Sequence, residues 1–284
     1  QKALEAAFFV KDCIHIRGLV GSGMSFRLAA AFQKNQHFLL LVLDDAEQAA
    51  YFLNDFEQLL SSSEVLYFPA SYRQPYALET TDNANILLRA EVLKKLSTSK
   101  KPRVVVTYPQ AIFEKLISHR TLKRIGLTLK KDSVVALSEL NERLFEMGFE
   151  RVDFVTEPGE FAVRGGIIDV FSFAYQHPYR IEFFDDTVER LSSFHVEDQR
   201  SVAAYDTIEI LPDTSNLETT DQRRTILEFF PANSSFIFGN LDKITSKLKS
   251  FYEKANLTYT STAVESQYPP ETLFVSPQEW LDDC

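Results

Sequence analysis

Short apolar runs alternate with longer amphipathic segments over the first part of the chain. Residues 38–43 are continuously apolar, as is typical of a strand buried on both faces, and 65–68 and 104–107 are shorter runs of the same kind, the second ending in Thr107. Between them, residues 44–60 and 83–96 place apolar side chains at helical spacing. This alternation predicts a parallel sheet covered by helices. Further elements are predicted as a strand at 13–16 and helices at 26–33 and 109–117.

The pattern changes in the middle of the chain. A strand at 127–131 and an amphipathic helix at 133–147, with Gly148 at its end, lead into a series of short runs separated by polar turns. The predicted strands of this series are 151–156, 160–164, 167–171, 179–184 and 188–194. Close strands with short turns predict an antiparallel sheet.

Alternation of strand and helix returns in the last third. Strands are predicted at 208–211 and 235–238, and helices at 222–230 and 241–254. We therefore expect one α/β domain interrupted by a β-rich insertion. The predicted boundaries are 1–118 for the first half of the α/β domain, 119–211 for the insertion and 212–284 for the second half.

Composition narrows the function classes. The formal charge of −10 disfavours an autonomous nucleic-acid binder, which normally presents a basic field. Two basic runs, at 94–103 and 120–131, fit either solvated surface or a docking patch, and the first reading is favoured. The two cysteines, Cys13 and Cys284, are far apart, which suits a reducing cytoplasm and offers no metal-binding spacing.

A glycine-rich octet follows the first predicted strand. Residues 18–25 fit the phosphate-binding pattern G-x-x-x-x-G-K-[ST] except that Met24 replaces the lysine. Glycines there let backbone N–H groups surround phosphates, the lysine meets the β- and γ-phosphates, and the Ser/Thr hydroxyl holds Mg²⁺. The candidate loop residues are Gly18, Gly21, Ser22, Gly23, Met24 and Ser25. A chance glycine-rich octet is the alternative.

A second feature of the same machinery is missing. Nucleotide-hydrolysing relatives of this loop carry an acidic residue after a buried strand, to order Mg²⁺ and water. Here Gly239 and Asn240 follow the strand at 235–238, and Asp242 comes too late. We therefore expect no hydrolysis and no catalytic residues in this chain, and neither ATP nor Mg²⁺ as its cofactor.

The segment 150–202 resembles the second domain shared by UvrB, the damage-loading helicase of bacterial excision repair, and Mfd, the transcription-repair coupling factor. The resemblance rests on four ordered motifs: GFERV at 148–152, PGEF at 158–161, RGGIIDVF at 164–171 and RIEFFDD at 180–186. The degenerate loop at 18–25 also resembles the Mfd version, since UvrB would keep Gly-Lys-Thr. The resemblance implies a RecA-like, P-loop NTPase-like parallel-sheet domain in two sequence halves, interrupted by the β-rich domain.

The resemblance implies that the β-rich domain docks UvrA. The family's contact positions fall on Arg164, Arg180 and Phe184. Arginine forks and aromatic side chains are typical of interface hot spots, which makes the assignment chemically reasonable. The alternative is that Arg164 pairs with Glu160 or Asp169 inside the sheet and that Phe184 is buried.

The resemblance also implies a role for the whole protein. It would recruit UvrA to RNA polymerase stalled at damage, with RNA polymerase, DNA, ATP and Mg²⁺ bound by other domains. A residual ATP-binding or helicase fragment is the competing hypothesis, based on Gly18, Gly23 and Ser25. A third is a regulatory module that restrains the motor of the full-length protein.

Overall fold

In the computed structural model, the described residues are 21–71, 83–117, 121, 124–173, 175, 177–211, 223–261 and 268–283. The chain divides into two compact units. Unit 1 comprises 1–81, 91–116 and 223–284, and unit 2 comprises 82–90 and 117–222. The predicted strand at 13–16 and Gly18 lie outside the described residues. The three predicted domain boundaries stay a prediction.

The strands, in chain order, are β1 Leu39–Val42, β2 Val65–Tyr67, β3 Val104–Thr107, β4 Leu127–Lys130, β5 Glu150–Arg151, β6 Glu160–Arg164, β7 Ile167–Val170, β8 Tyr179–Phe184, β9 Thr187–Phe194, β10 Ser201–Tyr205, β11 Thr207–Ile210 and β12 Ser235–Phe238. The helices are Gly23–Asn35, Ala46–Leu59, Asn83–Thr98, Pro109–Ile112, Leu137–Glu146, Leu241–Ser261, Pro270–Leu273 and Pro277–Asp283.

Unit 1 contains a four-stranded parallel sheet in the order β12-β1-β3-β2. Its two central strands, β1 and β3, are buried at every position, which explains why all of their residues except Thr107 are apolar. Leu40 of β1 pairs with Phe236 on one side and Val105 on the other. The sheet thus joins strands from both sides of unit 2 in the sequence, and the predicted parallel sheet is confirmed.

Unit 2 contains a six-stranded sheet in the order β10-β9-β8-β7-β6-β5, antiparallel except for the β5–β6 pair, and a two-stranded ribbon of β4 and β11. Alternate residues of the large sheet point to opposite faces. One face packs against the helix Leu137–Glu146 and the ribbon in a hydrophobic core that includes Leu144, Phe161 and Ile181. We call this the inner face and the opposite one the outer face. The predicted antiparallel part is confirmed.

Several predicted elements are shorter in the structure because other hydrogen bonds compete for their backbone groups. The helix predicted at 109–117 ends at Ile112, since Glu114 and Leu116 form bridges to Phe274 and Arg224. The helix predicted at 133–147 begins at Leu137, because Val134 bridges to Thr187.

Three further elements differ from their predicted form. The helix predicted at 222–230 is a single 3₁₀ turn, Ile226–Phe229. The strand predicted at 151–156 ends at Arg151, and the residues that follow form a loop. The helix predicted at 241–254 runs on to Ser261.

Part of the first basic run takes part in local pairs. Lys95 forms an ion pair with Glu91 one helical turn earlier, and Lys101 Nζ lies 3.9 Å from Glu64 Oε1. Arg103 donates a hydrogen bond to the Ser63 carbonyl. The pairs of Lys95 and Lys101 fit the solvated-surface reading of the run, whereas Arg103 is buried. Across the described residues, no helix combines the length and apolarity that crossing a membrane requires.

Candidate functional site

The outer face of the unit 2 sheet carries the charged residues of the motifs RGGIIDVF and RIEFFDD that lie on strands β7 and β8 and at the end of β6. The hairpin between β6 and β7 turns on Gly165 and Gly166, directly after Arg164. Gly165 has a φ of 60°, and a Cβ on Gly166 would lie 3.0 Å from the carbonyl oxygen of Phe183, so the turn strongly favours these glycines. The turn places Arg164 and Asp169 within reach of each other.

Asp169 is the centre of the outer face. It lies opposite Arg180 in the register of β7 and β8, and the residue is 1% exposed. Its Oδ1 accepts a hydrogen bond from Arg180 Nε at 2.7 Å, and its Oδ2 accepts one from Arg180 Nη2 at 2.8 Å. Arg164 Nη2 donates to the same Oδ2. One buried carboxylate therefore accepts hydrogen bonds from two arginines. All of these bonds are charge-assisted, and those from Arg180 are bidentate.

Arg180 is enclosed by its partners. Besides Asp169, its Nη2 donates to Gln199 Oε1 at 2.9 Å, and its guanidinium carbon lies 4.3 Å from the centre of the Phe194 ring. Its side chain is only 20% exposed. The hydrogen bonds to Asp169 raise the pKa of Arg180 further above its ordinary value, against the opposing effect of burial.

Arg164 is more open to solvent. Its side chain is 38% exposed, and its guanidinium carbon lies 5.2 Å from the centre of the Phe154 ring. That distance falls within the range of a cation–π contact. Phe154 itself is 65% exposed, so solvent reaches both side chains of the pair.

Phe184 ends β8 and is 74% exposed. It alternates with Arg180 and Glu182 along the strand, which places all three on the outer face, although a bulge between Glu182 and Phe183 interrupts the pairing with β9. The alternative that Phe184 is buried is therefore wrong. The alternative that Arg164 pairs with Asp169 is correct as geometry, but the pair leaves Arg164 accessible.

The structure thus brings Arg164 and Arg180 together through Asp169 and places Phe184 on the same face. That these residues contact a partner stays a prediction. Sequence reasoning treated Asp169 only as a possible internal partner and overlooked Phe154. The signal for Phe154 was an aromatic residue in the polar stretch 153–160, inside the segment that carries the family motifs.

The glycine loop of unit 1 is described from Gly21 onward. Gly21 has a φ of 57°, and the helix begins at Gly23 with Ser22 as a cap whose side chain makes no capping hydrogen bond. Ser25 is fully buried, and its hydroxyl shares its one hydrogen between two acceptors, the Ser22 carbonyl oxygen at 2.8 Å and the Asp55 carboxylate. Met24 is half-buried and packs against the core. The hydroxyl and the residue in place of the lysine thus make contacts within the protein.

Side chains of the protein also occupy the space at the end of β12. A Cβ on Gly239 would lie 2.9 Å from Asp44 Oδ1, so a larger residue would require Asp44 to move. The other oxygen of Asp44 accepts from Lys243 Nζ at 3.1 Å, and Asn240 Oδ1 accepts from the Lys243 backbone N–H at 3.0 Å. Within the described part of the chain, no group of three or more His, Cys, Asp or Glu side chains is arranged to hold a metal ion.

Comparison with known proteins finds a family match in the middle of the chain. Residues 127–215 match the family model of the UvrB interaction domain. This range contains the six-stranded sheet, the ribbon, and all the outer-face residues described above. The resemblance expected from the motifs is confirmed, and the chain contains a UvrB-like segment.

The similarity to individual proteins extends beyond that segment. The transcription-repair-coupling factor of Bacillus subtilis is 30% identical over 204 residues, which cover 69% of this chain and 17% of that protein. The transcription-repair-coupling factor of Haemophilus influenzae is 27% identical over 254 residues, which cover 86% of this chain and 22% of that protein. UvrABC system protein B of Fusobacterium nucleatum is 25% identical over 232 residues, which cover 77% of this chain and 35% of that protein. The chain is homologous to these proteins, but the matched part covers only 17% to 35% of their length.

Proposed function

We propose that this chain is a non-catalytic, UvrB-like module of a transcription-repair coupling factor and that it recruits UvrA through the outer face of unit 2. The observation that carries the proposal is the arginine–aromatic surface inside the segment that matches the UvrB interaction domain. Function then depends on binding rather than on chemistry.

The outer face has the composition of a binding hot spot. Exposed Phe184 and partly exposed Arg164 are of the residue types, aromatic and Arg, that carry most of the energy in protein interfaces. The bonds of Asp169 to both arginines fix their rotamers before a partner arrives, which lowers the entropy lost on binding.

We propose that unit 1 is a RecA-like α/β domain whose nucleotide site no longer works. The Ser25 hydroxyl is bonded to Asp55, Met24 offers no charge, and Gly239 stands where a metal carboxylate is expected. We therefore propose that the chain uses neither ATP nor Mg²⁺. The residual ATP-binding or helicase fragment remains the alternative, based on the surviving Gly23 and Ser25.

The role of the full-length protein is part of the proposal. By its similarity to transcription-repair-coupling factors, the protein would act in the cytoplasm on stalled RNA polymerase, with polymerase, DNA, ATP and Mg²⁺ bound by other domains. Restraint of the motor by this module is an additional proposed role. It would be tested by comparing motor activity with and without residues 1–284.

Titration with UvrA tests the docking function. Wild type should bind saturably, and Phe184→Ala and Arg164→Ala should each weaken binding by about 2 kcal/mol, roughly thirtyfold in Kd. Matched controls are Tyr51→Ala, which removes a 66% exposed aromatic from unit 1, and Arg143→Ala, which removes an exposed arginine from the helix on the inner face.

The controls should bind as wild type does. Absence of UvrA binding by the wild-type chain would refute the docking function. Unchanged affinity in both Phe184→Ala and Arg164→Ala would refute the assigned surface.

A further inference from the structure

Phe154 is an exposed aromatic side chain in a well-anchored loop. Its neighbour Val155 is 2% exposed and belongs to a small cluster with Ala162 and Phe171 beneath the loop. The Glu160 carboxylate accepts from the backbone N–H groups of Thr156 at 2.6 Å and Glu157 at 2.9 Å. A large apolar surface is thus presented to solvent by backbone that its own contacts hold in place.

Phe154 is also coupled to the candidate surface. The Arg164 guanidinium lies over its ring and also donates a hydrogen bond to the Asp169 carboxylate. Among the described residues of unit 2, Phe145 is exposed too, but it packs edge-on against Phe161 of the inner face. Phe154 and Phe184 are the exposed phenylalanines of the outer face in the part of the chain that the structure describes.

The charge of this surface indicates what kind of partner segment fits. The ion pairs of the outer face join three arginines, Arg164, Arg180 and Arg190, to two carboxylates, Asp169 and Glu182. Arg164 and Arg180 share the single carboxylate of Asp169, so this group of three side chains carries one surplus positive charge, on a chain whose formal charge is −10. Arg164 has the more open guanidinium of the two that share Asp169, and its neighbour is the apolar ring of Phe154.

We propose that Phe154 is a further contact residue of the docking surface and acts together with Arg164. The pair would receive a UvrA segment in which an apolar side chain lies beside a carboxylate. The apolar group packs on the Phe154 ring, and the carboxylate accepts from the guanidinium edge of Arg164 that faces away from Asp169. This inference rests on the proposed UvrA-docking function and adds a residue that the family motifs do not assign.

A double-mutant cycle measured by UvrA titration tests the proposal. The set is wild type, Phe154→Ala, Arg164→Ala and the double variant, with Tyr51→Ala as the exposure-matched control. Phe154→Ala should weaken binding at least tenfold. The loss in the double variant should be smaller than the product of the single losses, because each variant disturbs the same paired contact. Phe154→Tyr, which keeps the ring, should restore most of the affinity.

The outcomes separate this inference from the function it rests on. If Phe184→Ala loses affinity but Phe154→Ala binds within twofold of wild type, Phe154 is not a contact residue and the docking function stands. Multiplicative losses in the double variant would overturn the joint action of Phe154 and Arg164. No binding by wild type would overturn both proposals. Thermal melting of Phe154→Ala close to that of wild type is expected, because the ring is mostly exposed.

Discussion

The outer face of unit 2 and the glycine loop of unit 1 both carry residues that a sequence motif marks as functional, but their contacts differ. On the outer face, buried Asp169 holds two arginines while Arg164, Phe154 and Phe184 stay accessible. In the loop, the motif hydroxyl of Ser25 is fully buried and bonded inside the protein. The motif residues of the outer face thus stay accessible to a partner, whereas Ser25 of the loop makes its contacts within the protein.

Asp169→Asn should have the largest effect. It removes a buried charge that holds two arginines, and we expect a loss of about 3 kcal/mol in the stability of unit 2. The single tryptophan, Trp280, is buried in unit 1, so its fluorescence reports that unit, while circular dichroism reports both. Urea unfolding should show a shifted dichroism transition. Glu182→Gln, which removes an exposed pair at 3.6 Å, is the control, and equal stability of the two variants would contradict the role of Asp169.

Replacing each arginine in turn should show which of them stabilises unit 2 and which is mainly available to a partner. Arg180→Ala removes two bonds to Asp169, one to Gln199 and the stack on Phe194, so about 2 kcal/mol of stability should be lost. Arg164→Ala removes a more exposed partner and should cost less than about 1 kcal/mol. Urea unfolding followed by circular dichroism gives both values. A larger loss for Arg164→Ala would reverse the roles assigned to the two residues.

Ser25→Ala tests the claim that the loop hydroxyl is structural. Its bonds to the Ser22 carbonyl and the Asp55 carboxylate would be lost, which should reduce the stability of unit 1 by about 1 kcal/mol. Trp280 fluorescence during urea unfolding measures this change. Ser22→Ala is the matched control, since its side chain makes no capping hydrogen bond. If both variants unfold as wild type does, Ser25 has no structural role.

Met24→Lys should have the smallest effect. A lysine can extend from this half-buried position to solvent, so unit 1 should stay folded. We expect no ATP hydrolysis, because the proposal places Gly239 where a metal carboxylate is expected and because Ser25 remains bonded to Asp55. A phosphate-release assay with Mg-ATP gives the answer, and turnover in this variant would favour the residual ATPase hypothesis.

Periodicity predicted both sheets, because burial on two faces or one leaves a direct mark on the sequence. It could not predict that Glu160 would bind the amides of 156 and 157, so the strand predicted at 151–156 was too long. Motif resemblance pointed to Arg164 and Arg180 but not to the different exposure of their side chains. That difference depends on Gln199 and Phe194, which only the folded sheet brings to Arg180.

Hydrogen–deuterium exchange of the chain with and without UvrA tests the central claim most directly, since one experiment reads both regions. UvrA should slow exchange in the loop 152–158 and in the β8–β9 turn after Phe184, and should leave the residues around Ser25 unchanged. Slowed exchange around Ser25 with none at 152–158 or at that turn would contradict the account.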